Sequence, residues 1–126
     1  MASRPSHTSK APSQRQLRAG ELARHELAQM FQREEVHDDS LSGHNLTVTE
    51  VKTSPDLKLA TVYVTTLGGA QVDEVVTSLN QLAPRIRKTL APKLALKFIP
   101  ELRFRKDDSF DQADRISSLL RDARSS

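Results

Sequence analysis

Arg85, Arg87, Lys88 and Lys93 are the residues best placed to do chemistry. They set four cations within nine residues, and no acid follows until Glu101. Cations grouped in this way bind phosphate backbones by displacing condensed counterions. Arg85 and Lys88 are three apart and share one side of a helix. Lys97, Arg103 and Arg105 extend the series along the chain, and Arg15 and Arg18 add a smaller basic pair near the start. Aromatic residues are few, with one Tyr, four Phe and no Trp. Base-stacking modules depend on aromatic platforms, and only Tyr63 and Phe110 suggest themselves here. The basic set reads equally as a solvated face or as a phosphate-binding one, and any RNA contact would be to backbone and shape.

Other constellations point to less. His37 and His44 lie in one polar stretch with Asp38 and Asp39, residue types that can ligate a metal. They lack a fixed ligand spacing and read as a hydrated loop. Asp107, Asp108 and Asp111 lack the Gly and Glu of a calcium loop and read as a helix cap. Gly68-Gly69 is followed by no Lys-Ser or Lys-Thr, so it reads as a loop breaker. No nucleophile, base and orienting group fall together in a motif. The expectation is a protein that is not an enzyme and uses no metal or cofactor.

The cations need a helix to hold them. Val72, Val75, Val76, Leu79, Leu82, Ala83, Ile86 and Leu90 recur at steps of three and four, giving one apolar stripe. Pro84 interrupts it, removing its own hydrogen bond to the carbonyl of Asn80 and pushing Ala83 away from helical angles. The stripe keeps its phase, so two helical arms joined by a kink at Leu82-Ala83-Pro84 are expected, with the basic set on the second arm.

The remaining elements follow from period and punctuation. Residues 1–12 carry no apolar period and are expected to be a disordered tail. Ser13 with Gln16 has the spacing of a capping box, and Ala19, Leu22, Ala23, Leu27, Met30 and Phe31 line one face of the helix that follows. Residues 46–53 are rich in Val and Thr and read as a strand, although Leu46 and Val48 fall on one face and Val51 on the other. A bulge would reconcile them. Ser54-Pro55-Asp56 makes a turn, and residues 57–66 give a second, antiparallel strand. Residues 98–105 read as a third extended segment, an edge strand or one starting after Pro100. Ala113, Ile116, Leu119 and Leu120 suggest a short amphipathic helix, with residues 122–126 frayed. The fold class is α+β: one domain over residues 13–121, with helices on one face of a three-stranded sheet.

Composition bounds the class of protein. The chain has 126 residues, net charge +3 and no cysteine. Its length suits one domain with a core. The mild basicity fits an anionic partner. No apolar run approaches a membrane span or a signal peptide, so a cytoplasmic protein is expected.

Several pieces in this order resemble a known family. They are Arg15-Gln16-Leu17-Arg18, Glu35-Val36-His37-Asp38, Ser54-Pro55-Asp56-Leu57 with Ala60-Thr61-Val62-Tyr63-Val64, Ile86-Arg87, and Pro100-Glu101-Leu102-Arg103-Phe104 with Asp107. From about Ser13 to Arg121 the chain resembles the bacterial ribosome-binding factor A family. The resemblance implies a KH-like fold of the second type, α-β-β-α(kinked)-β with a short C-terminal helix. It implies a non-enzymatic assembly factor that binds free or immature small ribosomal subunits and assists ribosomal RNA processing and folding. Growth in the cold is also implied, and the partner would be the small subunit and its RNA, met by a monomer. The family's kink carries an Ala-x-Gly pattern, and Leu82 and Pro84 depart from it at both ends. Together with the basic helix, the resemblance places the expected RNA contacts on Arg85, Arg87, Lys88 and Lys93, with Arg15 and Arg18 as lesser candidates. The alternative is a general KH-like RNA-binding regulator with no ribosomal role.

Overall fold

The computed structural model describes residues 11–41 and 44–109. The tail before residue 11 and the helix expected at residues 113–120 lie outside that range. The elements run α1 (Gln14–Gln32), β1 (Leu46–Thr53), β2 (Leu59–Thr66), α2 (Val72–Leu90) and β3 (Glu101–Lys106), with short 3-10 turns between them.

α1 starts where the sequence demands. The Ser13 hydroxyl accepts the Gln16 amide, and the Gln16 side chain accepts the Ser13 amide. Gln16 then does more than cap. Its side-chain amide donates to the Thr53 carbonyl at 3.0 Å, and the Thr53 hydroxyl returns a bond to the Gln16 carbonyl at 3.2 Å. The first turn of α1 is thus tied to the end of β1. Further along, Gly20 lets the two elements touch, since a Cβ there would meet the Val51 carbonyl oxygen at 2.5 Å.

The sheet has the order β1-β2-β3, with β1 and β2 antiparallel and β2 and β3 parallel. A bulge, the feature that would reconcile the two faces of β1, lies between Val48 and Glu50, where the register shifts. It lets Val48 and Val51, three residues apart, both point into the core. The extra residue, Thr49, turns its hydroxyl to the Asp107 carboxylate and the Tyr63 carbonyl, reaching across β2. β3 begins directly after Pro100 and forms a sheet edge, meeting both readings of that proline.

The core lies between the helices and one face of the sheet. Leu27 and Met30 of α1, Val62 and Val64 of β2, Leu79, Ile86 and Leu90 of α2, and Phe104 of β3 are each less than 2 % exposed. Phe31 meets Phe104 edge to face, with centroids 6.4 Å apart. Complete burial of one such aliphatic side chain is worth roughly 1.5–3 kcal/mol, so this layer dominates the stability of the fold.

α2 carries its proline without ending. It runs from Val72 to Leu90 as one element with Pro84 inside it, and no residue within it leaves helical angles. Ala83 is buried in the helix rather than displaced from it, and any bend is accommodated without dividing the helix into two. The physical reason lies in the burial. Ala83, Ile86 and Leu90 on the core side keep the turns together, while Pro84 faces solvent. Tertiary packing outweighs the roughly 3 kcal/mol that proline costs in a helix interior. The helix ends before Pro92, which lies in a 3-10 turn over Ala91–Lys93.

Candidate nucleic-acid interface

The fold holds α2 along the β3 edge by two side chains seven residues apart. β3 pairs with β2 through alternate residues, leaving the amide and carbonyl of Phe104 on the open edge. Asn80 satisfies both. Its amide donates to the Phe104 carbonyl at 2.9 Å, and its oxygen accepts the Phe104 amide at 2.8 Å. Two turns on, Arg87 donates to the Ile99 carbonyl at 2.7 Å and the Pro100 carbonyl at 3.1 Å. These atoms belong to the chain entering β3, where Pro100 supplies no donor of its own.

Arg85 of α2 and Lys93 of the 3-10 turn that follows it reach the loop after α1. Arg85 donates to the His37 carbonyl at 2.8 Å, and Lys93 pairs with Glu35 at 2.9 Å. Both partners belong to the loop that leaves α1. Lys88, on the same side of α2 as Arg85, is exposed and makes no hydrogen bond or ion pair among the described residues. The four predicted cations are therefore brought to one end of α2, but in different ways. Arg85 and Arg87 use one edge of the guanidinium on backbone carbonyls and stay exposed and charged, with further N–H donors left over. Lys93 is half-buried in its pair. Lys88 alone is wholly available.

Arg15 and Arg18 are exposed on α1 and stand apart from this group. With Lys97 they border a groove of about 430 Å³ floored by Ala19, Leu22, Leu57 and Leu96. Phe98, 71 % exposed, forms one wall, with the Lys97 ammonium 5.6 Å from its ring centre. Leu57 reaches this floor in a left-handed conformation, φ 60°, at the end of the Ser54–Leu57 turn. Arg103 and Arg105 part from the α2 group as well. They alternate with the buried Leu102 and Phe104, so they occupy the face of the sheet away from the helices. Adjacency along the chain had joined cations that the period of a strand sets on opposite sides.

Leu82, Ala83 and Pro84 immediately precede Arg85. Leu82 packs against the core and Ala83 lies in it, so the turn that carries the cations is anchored from beneath. The carboxylates nearby have structural tasks. Asp38 is held below its ordinary value by the Ser40 hydroxyl, then by the Ser40 amide, with the Arg85 charge adding to these. Asp107 is held low by the Thr49 hydroxyl first and by Ser109 second, as a turn-capping role requires. Among the described residues, no group of three or more His, Cys, Asp and Glu is arranged to hold a metal. The His37 carbonyl accepts a hydrogen bond from Arg85. Asn80 was not singled out in the sequence. An Asn on the margin of an amphipathic stripe gives no sign that it will serve a strand edge.

An α-β-β-α-β chain with a mixed three-stranded sheet, helices on one face and a basic helix end defines a small KH-like module. The ribosome-binding factor A family model matches residues 15–120. Ribosome-binding factor A of Rhodopseudomonas palustris strain BisB18 is 52 % identical over 121 residues, covering 93 % of this chain and 88 % of that one. The Methylobacterium radiotolerans protein of the same name is 51 % identical over 124 residues, covering 98 % and 86 %. The chain belongs to the ribosome-binding factor A family. Solved structures agree on the fold. A solution structure from Thermotoga maritima, a putative ribosome binding factor A, superposes with a TM-score of 0.59 at 27 % identity, covering 79 % of this chain and 92 % of that one. The crystal structure of ribosome-binding factor A from Thermus thermophilus gives 0.60 at 24 % identity, covering 72 % and 94 %. A model of the Thermus thermophilus factor fitted into a cryo-EM map of a 30S complex gives 0.55, also at 24 %.

Proposed function

We propose that this protein binds the small ribosomal subunit and assists the processing and folding of its RNA, acting as a binding factor and not as an enzyme. The observation that carries the reading is the cationic end of α2, offered by a chain whose relatives at half identity are named ribosome-binding factor A. Lys88 and Arg85 lead the contact with phosphate. Arg87 and Lys93 hold the helix end while adding charge, and Arg15 and Arg18 contribute from α1. Binding of this kind favours one RNA fold over its competitors only to the extent that it prefers one of them. The protein acts as a monomer in the cytoplasm, and the family's association with growth in the cold extends to it. No described helix is long and apolar enough to cross a membrane.

Sedimentation of a cell extract tests the reading. The protein is expected to travel with free small subunits and to be depleted from whole ribosomes. Comigration with neither, together with a preference for short single-stranded RNA over purified small subunits, would favour a general RNA-binding regulator instead.

A further inference from the structure

The face of the sheet turned away from α1 and α2 carries a second set of residues that the helix surface does not use. Three strands contribute to it in register. Tyr63, on the central strand, stands opposite Glu50 of β1 and Arg105 of β3. Thr61, two residues before it, stands opposite Lys52 and Arg103. Lys52, Arg103 and Arg105 are exposed, while Thr61 and Tyr63 are half-buried. Arg103 and Arg105 make no hydrogen bond or ion pair with the described residues, and the Lys52 ammonium lies 5.5 Å from the centre of the Tyr63 ring. The arrangement is an aromatic ring at the middle of a sheet face that no described element covers, with cations on two sides of it.

We propose that this face binds a single-stranded RNA segment by stacking one base on Tyr63 while Arg103 and Arg105 take the adjacent phosphates. The charge pattern sets the direction. Glu50 lies on the β1 side and repels phosphate, and Glu101 lies at the start of β3, one step beyond Arg103. The backbone of the strand therefore follows Arg103 and Arg105, and the base turns inward over the central strand. Same-face neighbours on a strand are about 6.6–6.8 Å apart, so the two guanidinium groups meet successive phosphates rather than one. The Lys52 ammonium lies over one face of the Tyr63 ring, so the base stacks on the other. A planar base offers its π-face to Tyr63 whatever its sequence, so the site is a platform with weak sequence preference. It is separate from the end of α2, and α2 can bind the subunit whether or not this platform exists.

Tyr63 makes the test direct, because the chain has no other tyrosine and no tryptophan. Its ring protons are assigned without ambiguity in a tyrosine-labelled NMR sample. The probes are a ten-nucleotide oligouridine and an abasic oligonucleotide of equal length. Stacking moves the Tyr63 ring signals upfield with oligouridine and leaves them in place with the abasic strand. Arg103→Ala with Arg105→Ala weakens oligouridine binding roughly tenfold or more, and Tyr63→Ala does the same. Tyr63→Phe retains binding, which separates loss of the ring from loss of the fold. Lys88→Ala leaves the ring shifts unchanged while lowering affinity for small subunits. Equal shifts with both oligonucleotides, or unchanged binding in Tyr63→Ala, would overturn the platform and leave the helix surface untouched.

Discussion

The basic end of α2 and the basic face of the sheet carry similar charge and use it differently. On α2, Arg85 and Arg87 hold backbone carbonyls at 2.7–3.1 Å and Lys93 holds Glu35. On the sheet, Arg103 and Arg105 hold nothing among the described residues. The first region spends part of its hydrogen-bonding capacity on the fold and keeps its charge, and the second keeps both. An arginine can do this because its fork of five donors outnumbers the carbonyls it meets. A cation near a phosphate surface can therefore also be a tie of the scaffold, and its loss mixes two effects. Only a residue such as Lys88, exposed and unpaired among the described residues, reports binding alone.

The largest expected effect is at the α2–β3 seam. Asn80→Ala leaves the Phe104 amide and carbonyl without partners at a partly buried edge, where each unmet group costs about 1–3 kcal/mol. The urea midpoint is expected to fall by an amount equivalent to about 3 kcal/mol. A loss below about 1 kcal/mol would show that water replaces Asn80 at the edge. Arg87→Ala is next, with an expected loss of about 1–2 kcal/mol from two hydrogen bonds made by a charged group. Arg87→Lys recovers part of it, since an ammonium cannot span both carbonyls as the planar fork does. Equal stability of the two variants would remove Arg87 from the scaffold.

Pro84→Ala sharpens the comparison by changing the helix while leaving every cation in place. It restores an amide donor toward the Asn80 carbonyl. The fold is expected to survive, the helix to straighten in part, and small-subunit binding to weaken several-fold. An unchanged helix axis with full binding would show that packing of Ala83 and Ile86 sets the course of α2. The smallest effect is at Asp107. Its folded-state value lies below the ordinary 3.8, so its contribution is present above that value and fades as pH falls through the lower one. Asp107→Asn is therefore expected to lower the melting temperature modestly at pH 7, with the gap to the parent closing below about pH 4. A gap that stayed constant with pH would mean that the Thr49 bond is indifferent to the charge.

Much of this was legible in the residues. Ser13 and Gln16 mark the start of α1, because a capping box needs only local geometry. The conflict among Leu46, Val48 and Val51 signalled the bulge, because a period of two cannot bury both valines without an added residue. Period and punctuation supplied the element order, and the family resemblance was borne out over residues 15–120. What the sequence did not reveal depends on contacts between distant segments. Proline in a helix is a local penalty, and only the burial of Ala83, Ile86 and Leu90 decides that the helix continues through it. The pairing of Arg85 with His37 spans 48 positions, and that of Asn80 with Phe104 spans 24. No spacing rule encodes either. Arg103 and Arg105 looked like a continuation of the α2 set until the strand placed them on the other side.

Lys88 isolates the proposed contact between the end of α2 and phosphate. Binding of the parent and of Lys88→Ala to purified small subunits, measured over a series of salt concentrations, tests it. The melting temperature of the variant is expected to match the parent, because Lys88 ties nothing among the described residues. The log–log slope of affinity against salt is expected to flatten by about 0.7–0.9, the value of one lost phosphate contact. A variant with unchanged affinity and unchanged slope would contradict the account.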